Sequence, residues 1–218
     1  MDQAILISWN VRGLNTGARR DAVRVLVDDT RASLVCFQET KLSVISPDVR
    51  FTVLVNPVSG EQPWWLTTVY GPQEDADKVL FLEELEAIRD DCQGPWVVAG
   101  DFNLILDPAD KNNARINRRN MARFRRTVDA LELRDIHLHG RTYTWSNERS
   151  DPTLVKLDRV LTSVDWEETH PHCFLQALSS DHCPLMLQTN ASFRSKPRFH
   201  FQIFWPKFDD FLEVVTRG

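Results

Sequence analysis

Five short apolar runs, each meeting a polar cluster at or near one end, limit what this chain can fold into. Residues 4–9 run into the polar turn 10–15, and residues 34–38 run directly into Glu39. Residues 96–99 deliver Gly100-Asp101-Phe102-Asn103, residues 154–161 carry Asp158, and residues 184–187 follow Ser180-Asp181-His182. Runs of this length and character read as buried strands. Residues 51–55 and 65–70 look like further strands, with the turn-forming Ser59-Gly60 between them.

Helical spacing fills the gaps. In residues 18–30 the positions Ala22, Val23, Leu26, Val27 and Thr30 share one side. In 75–92, Phe81, Leu85, Ile88 and Cys92 recur at helical intervals before Gly94-Pro95 stops the run. In 117–133, Met121, Phe124, Val128 and Leu131 point inward and the arginines outward. Strands and helices thus interleave without the even rhythm of a Rossmann or barrel fold, and no glycine-rich nucleotide loop is present. Polar motifs just past buried strands are how a layered scaffold presents a site on rigid elements. From about Thr189 the character changes. Residues 190–198 are polar and basic, Phe199, Phe201, Ile203 and Trp205 alternate, and 208–215 could form a short amphipathic helix. This divides the chain into a domain, 1–189, and a tail, 190–218.

The polar clusters supply carboxylates, carboxamides and one imidazole. Magnesium takes oxygen ligands and usually keeps several waters beside one or two carboxylates, which Glu39 and a second acid would satisfy. Asp101 suits a base near an attacking water and His182 a donor to developing phosphorane charge. Oxygen and imidazole donors without a thiolate pair favour magnesium or manganese over structural zinc. Each motif alone also has a plainer reading. Asn10 could be a turn residue, Glu39 a surface acid, and Gly100-Asp101-Phe102-Asn103 an Asx turn. Asp158 could pair with Arg159 or another residue, Asp181-His182 could cap a helix, and the arginine face of 117–133 could be solvated surface.

A net charge of −5 argues mildly against nucleic acid. It does not decide the matter, because exposed charges more than ~8 Å apart are largely screened at physiological salt. Between Lys111 and Val128 there is no acid, while Lys111, Arg115, Arg118, Arg119, Arg123, Arg125 and Arg126 are basic. The 4 cysteines have no metal-ligand spacing and read as reduced thiols of an intracellular protein. No signal peptide and no membrane-spanning apolar stretch is visible.

In this order the motifs resemble the endonuclease/exonuclease/phosphatase superfamily, including abasic-site endonucleases of the exonuclease III type. That family's steps are an Asn after the first strand, Gln-Glu, Tyr, Gly-Asp-x-Asn, a strand Asp and Ser-Asp-His. This chain has Asn10, Gln38-Glu39, Tyr70, Gly100-Asp101-Phe102-Asn103, Asp158 and Ser180-Asp181-His182. A closer likeness is to the endonuclease domain of plant LINE-type retrotransposons. Trp9-Asn10-Val11-Arg12-Gly13-Leu14, Val69-Tyr70-Gly71-Pro72, Tyr143-Thr144-Trp145-Ser146-Asn147 and Ser180-Asp181-His182-Cys183-Pro184-Leu185 carry it. The tail around Phe204-Trp205-Pro206 resembles the lead-in toward a reverse transcriptase, which is missing here.

The resemblance implies an α+β fold, a four-layered αββα sandwich of two mixed sheets flanked by helices. It implies a Mg2+- or Mn2+-dependent phosphodiester hydrolase that nicks DNA, of duplex form, acting as a monomer without a membrane or small-molecule cofactor. An intracellular protein of this kind would act in the nucleus. Glu39 would be the main metal ligand, supported by Asn10 and Asp181. Asp101 would position or deprotonate water, Asn103 would orient it, and Tyr70 would donate to a phosphate oxygen. His182 would stabilise the phosphate charge and Asp158 would hold that imidazole. Thr144 and Trp145 would touch DNA, as would Arg115, Arg118 and Arg119 on the basic face.

Two departures stand out. Residues 40–63 are short against the family, which implies a shortened or missing hairpin between Glu39 and Trp64 and a bare sheet edge. Arg12 also stands where the family has an acid in some relatives. Alternatives therefore stay open: a decayed retroelement remnant with residual metal or nucleic-acid binding, a phosphatase on a small phosphoester, or a non-catalytic nucleic-acid binding module.

Overall fold

In the computed structural model, residues 4–41, 50–58, 60–178 and 183–191 are described. Asp181, His182 and the tail beyond Ala191 lie outside them.

The chain runs β1 (Ile5–Asn10), α1 (Gly17–Thr30), β2 (Leu34–Gln38), β3 (Arg50–Val55), β4 (Trp64–Tyr70), α2 (Lys78–Asp91) and β5 (Trp96–Asp101). After a 3-10 turn at Pro108–Asp110 come α3 (Arg118–Ala130), β6 (Leu133–Asp135), β7 (Leu138–His139), β8 (Trp145–Ser146), β9 (Leu154–Val155), β10 (Asp158–Ser163), α4 (Val164–Thr169), β11 (Phe174–Ala177) and β12 (Leu185–Gln188). Two 5-stranded sheets result, ordered β2-β1-β12-β11-β7 and β3-β4-β5-β10-β6, with a 2-stranded β8-β9 hairpin beside them. Both large sheets are mixed: β1 pairs β2 in parallel and β12 antiparallel, while β5 pairs β4 in parallel and β10 antiparallel.

The apolar runs are continuous because their strands are covered on both faces. Along β5, Val97 and Ala99 join Leu6, Leu66, Val160, Leu175 and Leu187 in a core between the two sheets. Their neighbours Trp96 and Val98 face the other way, into a core built with Phe81 and Leu85 of α2 and Phe124 and Val128 of α3. Along β1, Ile7 and Trp9 pack outward with Val23 and Leu26 of α1. Helix, sheet, sheet, helix is therefore the layer order, the expected αββα sandwich.

Several local expectations shift. Residues 154–161 form two strands, because the chain breaks between Val155, paired with Trp145, and Asp158, paired with Asp101. The third helix ends at Ala130, and Leu133–Asp135 becomes a strand on β10. Helix α4 and strands β7 and β11 had no counterpart in the sequence reading. Strand β3 does pair β4 and ends its sheet among the described residues, leaving Phe51 65% and Leu54 45% exposed.

Candidate active site

Strand register places the first row of the site. Tyr70 of β4 is the Cα partner of Asp101 at the end of β5, and Asp101 is in turn the partner of Asp158 at the start of β10. On the facing sheet, Asn10 of β1 is level with Gln38 of β2, so Glu39 emerges one residue later. Two hydrogen bonds join these rows. The Asn10 amide Nδ2 donates to Asp101 Oδ2 at 3.2 Å, and the Tyr70 hydroxyl donates to Glu39 Oε1. Residues from five regions of sequence thus meet at one end of the sandwich.

Asn103 completes the group. Its backbone N–H donates to Asp101 Oδ1 at 2.9 Å, and its Nδ2 donates to the Gly71 carbonyl at 2.7 Å. Asp101 therefore makes the Asx turn that the plainer reading suggested and still faces Asn10. Asn10 is likewise a turn residue, accepting from the Arg12 N–H at 3.2 Å, while its amide serves the site. The Asp158–Arg159 pair foreseen as a possibility does not form. Successive strand residues point to opposite faces, and Arg159, 0% exposed, pairs with Asp110 and Asp135 instead. Glu39 (φ 51°) and Asn103 (φ 48°) both adopt left-handed backbone. Such conformations are uncommon for non-glycine residues, less so for Asn, and cluster at ligand and active sites.

The loops fit closely. A Cβ on Gly100, whose φ is +145°, would lie 2.0 Å from the Val69 carbonyl oxygen, and one on Gly71 would lie 2.1 Å from that of Phe102. Only glycine lets the strand ends approach this far.

Burial dominates the electrostatics. It raises the Asp101 carboxyl above its ordinary range, against the opposing hydrogen bonds from Asn103 and Asn10, and the Glu39 charge raises it further. Asp158 is pushed up to about 8, first by burial and then by the Asp101 charge. Tyr70 is pushed up to about 12 by burial and by its bond to Glu39. Carboxylates that raise one another's proton affinity form a site short of positive charge. Among the described residues no three acidic, histidine or cysteine side chains gather closely enough to hold a metal by themselves. Glu39 and Asp101 offer carboxylate oxygens, and Asn10 a carboxamide oxygen that also accepts from the Arg12 N–H; an oxygen set of this kind fits a hard divalent cation keeping several waters.

Asn10, Asp101 and Asp158 line an open cavity of about 1280 Å³, and Thr144 and Trp145 form part of its wall. The Thr144 hydroxyl oxygen accepts the N–H groups of Leu157 and Asp158, each at 3.0 Å, which fixes the β9–β10 break beside the carboxylate. Arg115, Arg118 and Arg119 are not among the lining residues; among the described residues the cavity's cations are Arg12, Arg19, Arg141 and Arg149. Sequence reasoning missed these four. The available signals were the Arg12 substitution, read only as a lost acid, and Arg141 just ahead of the Thr142–Trp145 stretch. Asp181 and His182 lie outside the described residues, although Cys183, directly after them, lines the same cavity.

An αββα sandwich carrying a carboxylate–carboxamide cluster at the ends of its inner strands is the phosphodiesterase and nuclease fold. Residues 7–182 match the Endonuclease/Exonuclease/phosphatase family, and the chain belongs to that family. Solved structures agree on the fold. The Neisseria 3′ phosphatase NExo, bound to product DNA hairpin, is 19% identical with a TM-score of 0.63, over 84% of this chain and 98% of that one. The endonuclease domain of TRAS1, a telomere-specific non-LTR retrotransposon, is 12% identical with a TM-score of 0.66, over 87% and 99%. The AP endonuclease LMAP from Leishmania major is 15% identical with a TM-score of 0.61, over 87% and 88%. No curated protein sequence matches the chain.

Proposed function

We propose that the protein is a Mg2+- or Mn2+-dependent DNA endonuclease that nicks duplex DNA in the manner of a LINE-type retrotransposon enzyme, acting in the nucleus. The observation that carries this reading is the junction of Asn10, Glu39, Tyr70, Asp101, Asn103 and Asp158 at one end of the sandwich, beside an arginine-lined cavity.

Glu39, Asn10 and Asp181 would hold the divalent ion, which when bound supplies Lewis-acid polarisation of the phosphate or leaving oxygen. Asp101, held by Asn10 and Asn103, would position an attacking water and take its proton; Asn103 would orient that water. Tyr70, kept protonated by burial, carries a single O–H, which would leave Glu39 for a phosphate oxygen when substrate is bound. His182 would meet the growing phosphorane charge, and Asp158 would hold its imidazole. Preorganised donors of this kind are each worth ~10²–10³ in rate and a positioned base ~10²–10⁴. Thr144 and Trp145 would touch the DNA inside the cavity. Arg118 and Arg119 begin α3, whose N-terminal turn is tied by Asn117 and Asn120 to Asp75 in the loop after β4. They and Arg115 would serve duplex extending past the cavity, where phosphate contacts position without reading sequence.

The test is nicking of supercoiled plasmid with magnesium or with chelator. Wild-type protein should nick only with metal, and Asp101→Ala or His182→Ala should each lower the rate by at least ~10². Equal rates in wild type and both variants refute the assignment.

A second reading, a folded retroelement remnant without turnover, is favoured by Phe51 and Leu54, exposed on β3, which ends its sheet among the described residues. A cooperative melt whose midpoint rises with magnesium counts for an intact site and against a remnant.

A further inference from the structure

Arg12 and Glu148 lie 136 positions apart in sequence, yet they line the same cavity and pair there, Nη1 to Oε1, at 3.4 Å. We propose that Glu148 occupies, on the Arg12 guanidinium, the place that a substrate phosphate takes, so that Arg12 becomes a phosphate-binding residue when a polynucleotide displaces Glu148. The proposal rests on the phosphodiesterase reading of this cavity.

The pair is built to be exchanged. Its contact is long and single, and the side chains are 30% and 73% exposed. Exposed pairs of this sort contribute little, ~0–1 kcal/mol. A guanidinium carries five N–H donors in a fork that matches phosphate, and Glu148 engages one nitrogen.

Neither partner depends on the other for its place. Arg12 (φ 47°) and Glu148 (φ 57°) each sit in left-handed backbone. The Arg12 N–H donates to Asn10 Oδ1 at 3.2 Å and its carbonyl accepts from Arg19 Nη1 at 2.8 Å. The Glu148 N–H donates to Ser146 Oγ at 3.1 Å in the β8–β9 turn. Both turns therefore persist when the ion pair opens.

Position completes the case. Arg12 follows Asn10 by two residues, and Asn10 bonds Asp101 directly. The Arg12 charge pulls both Asp101 and Asp158 toward their ionised forms, so its field covers the reacting end of the cavity. A strand with phosphates flanking the scissile one can reach Arg12 while its reacting group stays at Asp101. A small monophosphate ester has no second phosphate to offer, so against such a substrate this arginine favours a polynucleotide.

The experiment measures binding of a fluorescein-labelled 20-base-pair duplex in EDTA, as a function of salt, for wild type, Arg12→Gln, Glu148→Gln and the double variant, with magnesium-dependent plasmid nicking alongside. Glu148→Gln should tighten binding roughly twofold to fivefold. Arg12→Gln should weaken it about tenfold and reduce the salt slope by about 1. In the Arg12→Gln background, Glu148→Gln should change nothing. Equal tightening with and without Arg12 marks general repulsion and overturns the proposal, as does an unchanged affinity in Glu148→Gln or no duplex binding by wild type. Nicking that Asp101→Ala abolishes, with unaltered binding across the series, sinks this inference alone. The expected binding pattern without any nicking sinks the endonuclease reading alone. Glu148 is largely exposed, so its variant keeps the test independent of folding.

Discussion

The Tyr70 hydroxyl, on the last residue of β4, donates to the Glu39 carboxylate, which follows β2 on the facing sheet. This bond crosses the sandwich at the end that carries the candidate site and sets the direction of the side chain that would meet a metal. With the phenol pushed up to about 12, Tyr70 remains a donor at every assay pH.

Tyr70→Phe and Glu39→Gln therefore separate two roles. Tyr70→Phe should lower plasmid nicking by roughly 10², the loss of one preorganised donor, yet keep the rise in Tm with magnesium. Glu39→Gln should lose both. Nicking assays and thermal melts with and without magnesium check this, and a Tyr70→Phe protein blind to magnesium would show that the phenol matters only through Glu39.

Asp158 links stability to pH. Its folded carboxyl is pushed up to about 8 by burial and the Asp101 charge, against about 3.9 for an unfolded chain. Between those values the folded state holds more protons, so the contribution to stability is complete below about pH 4 and is lost as pH rises toward about 8. Asp158→Asn removes this dependence. Urea unfolding of the metal-free protein should show the variant gaining on wild type from pH 5 to pH 8, by at most ~1.4 kcal/mol per pH unit. A constant difference across that range would contradict the assigned direction.

Arg159 is buried between Asp110 and Asp135, and Lys156 also bonds Asp135, at 2.8 Å. The network fastens β10, which carries Asp158, to the 3-10 turn and to β6. Arg159→Ala removes the buried cation between two half-buried acids, of which Asp135 keeps Lys156 and Asp110 keeps no other cation among the described residues, and should cost ~3 kcal/mol by urea unfolding. Arg159→Lys should recover only part of this, since an ammonium cannot repeat a two-acid fork.

Gly100 tests the close approach of the strand ends. Gly100→Ala meets both a φ of +145° and the Val69 carbonyl oxygen, and should destabilise by at least ~3 kcal/mol. Gly17→Ala, at the start of α1 with nothing within 4 Å, should be neutral or stabilising by up to ~1 kcal/mol. Similar Tm values for the two variants would rule out the packing constraint at Gly100.

Much of the architecture was legible from burial periodicity. The runs around Ile7 and Val98 announced strands covered on both faces, and Met121, Phe124 and Val128 announced the inner face of α3. The shortest strands were not legible. Strand β7 has two residues and exists because Leu138 and His139 align with Leu175 and Gln176, a pairing that leaves no local period. Residues 154–161 looked like one strand because apolar content alone does not reveal a change of partner.

By itself the sequence determined the order of polar residues at strand ends, hence the family and the candidate acids, because local pattern encodes which segments are buried. Only the tertiary structure decided which of those residues meet. Asn10 reaches Asp101 across 91 positions and Arg12 reaches Glu148 across 136. Strand register and sheet stacking bring them together, and these are set by packing between distant segments, which a linear pattern does not record. The same physics turned Arg159 away from Asp158 and gave the cavity wall to Arg12, Arg19, Arg141 and Arg149 while the arginines of α3 lie outside it.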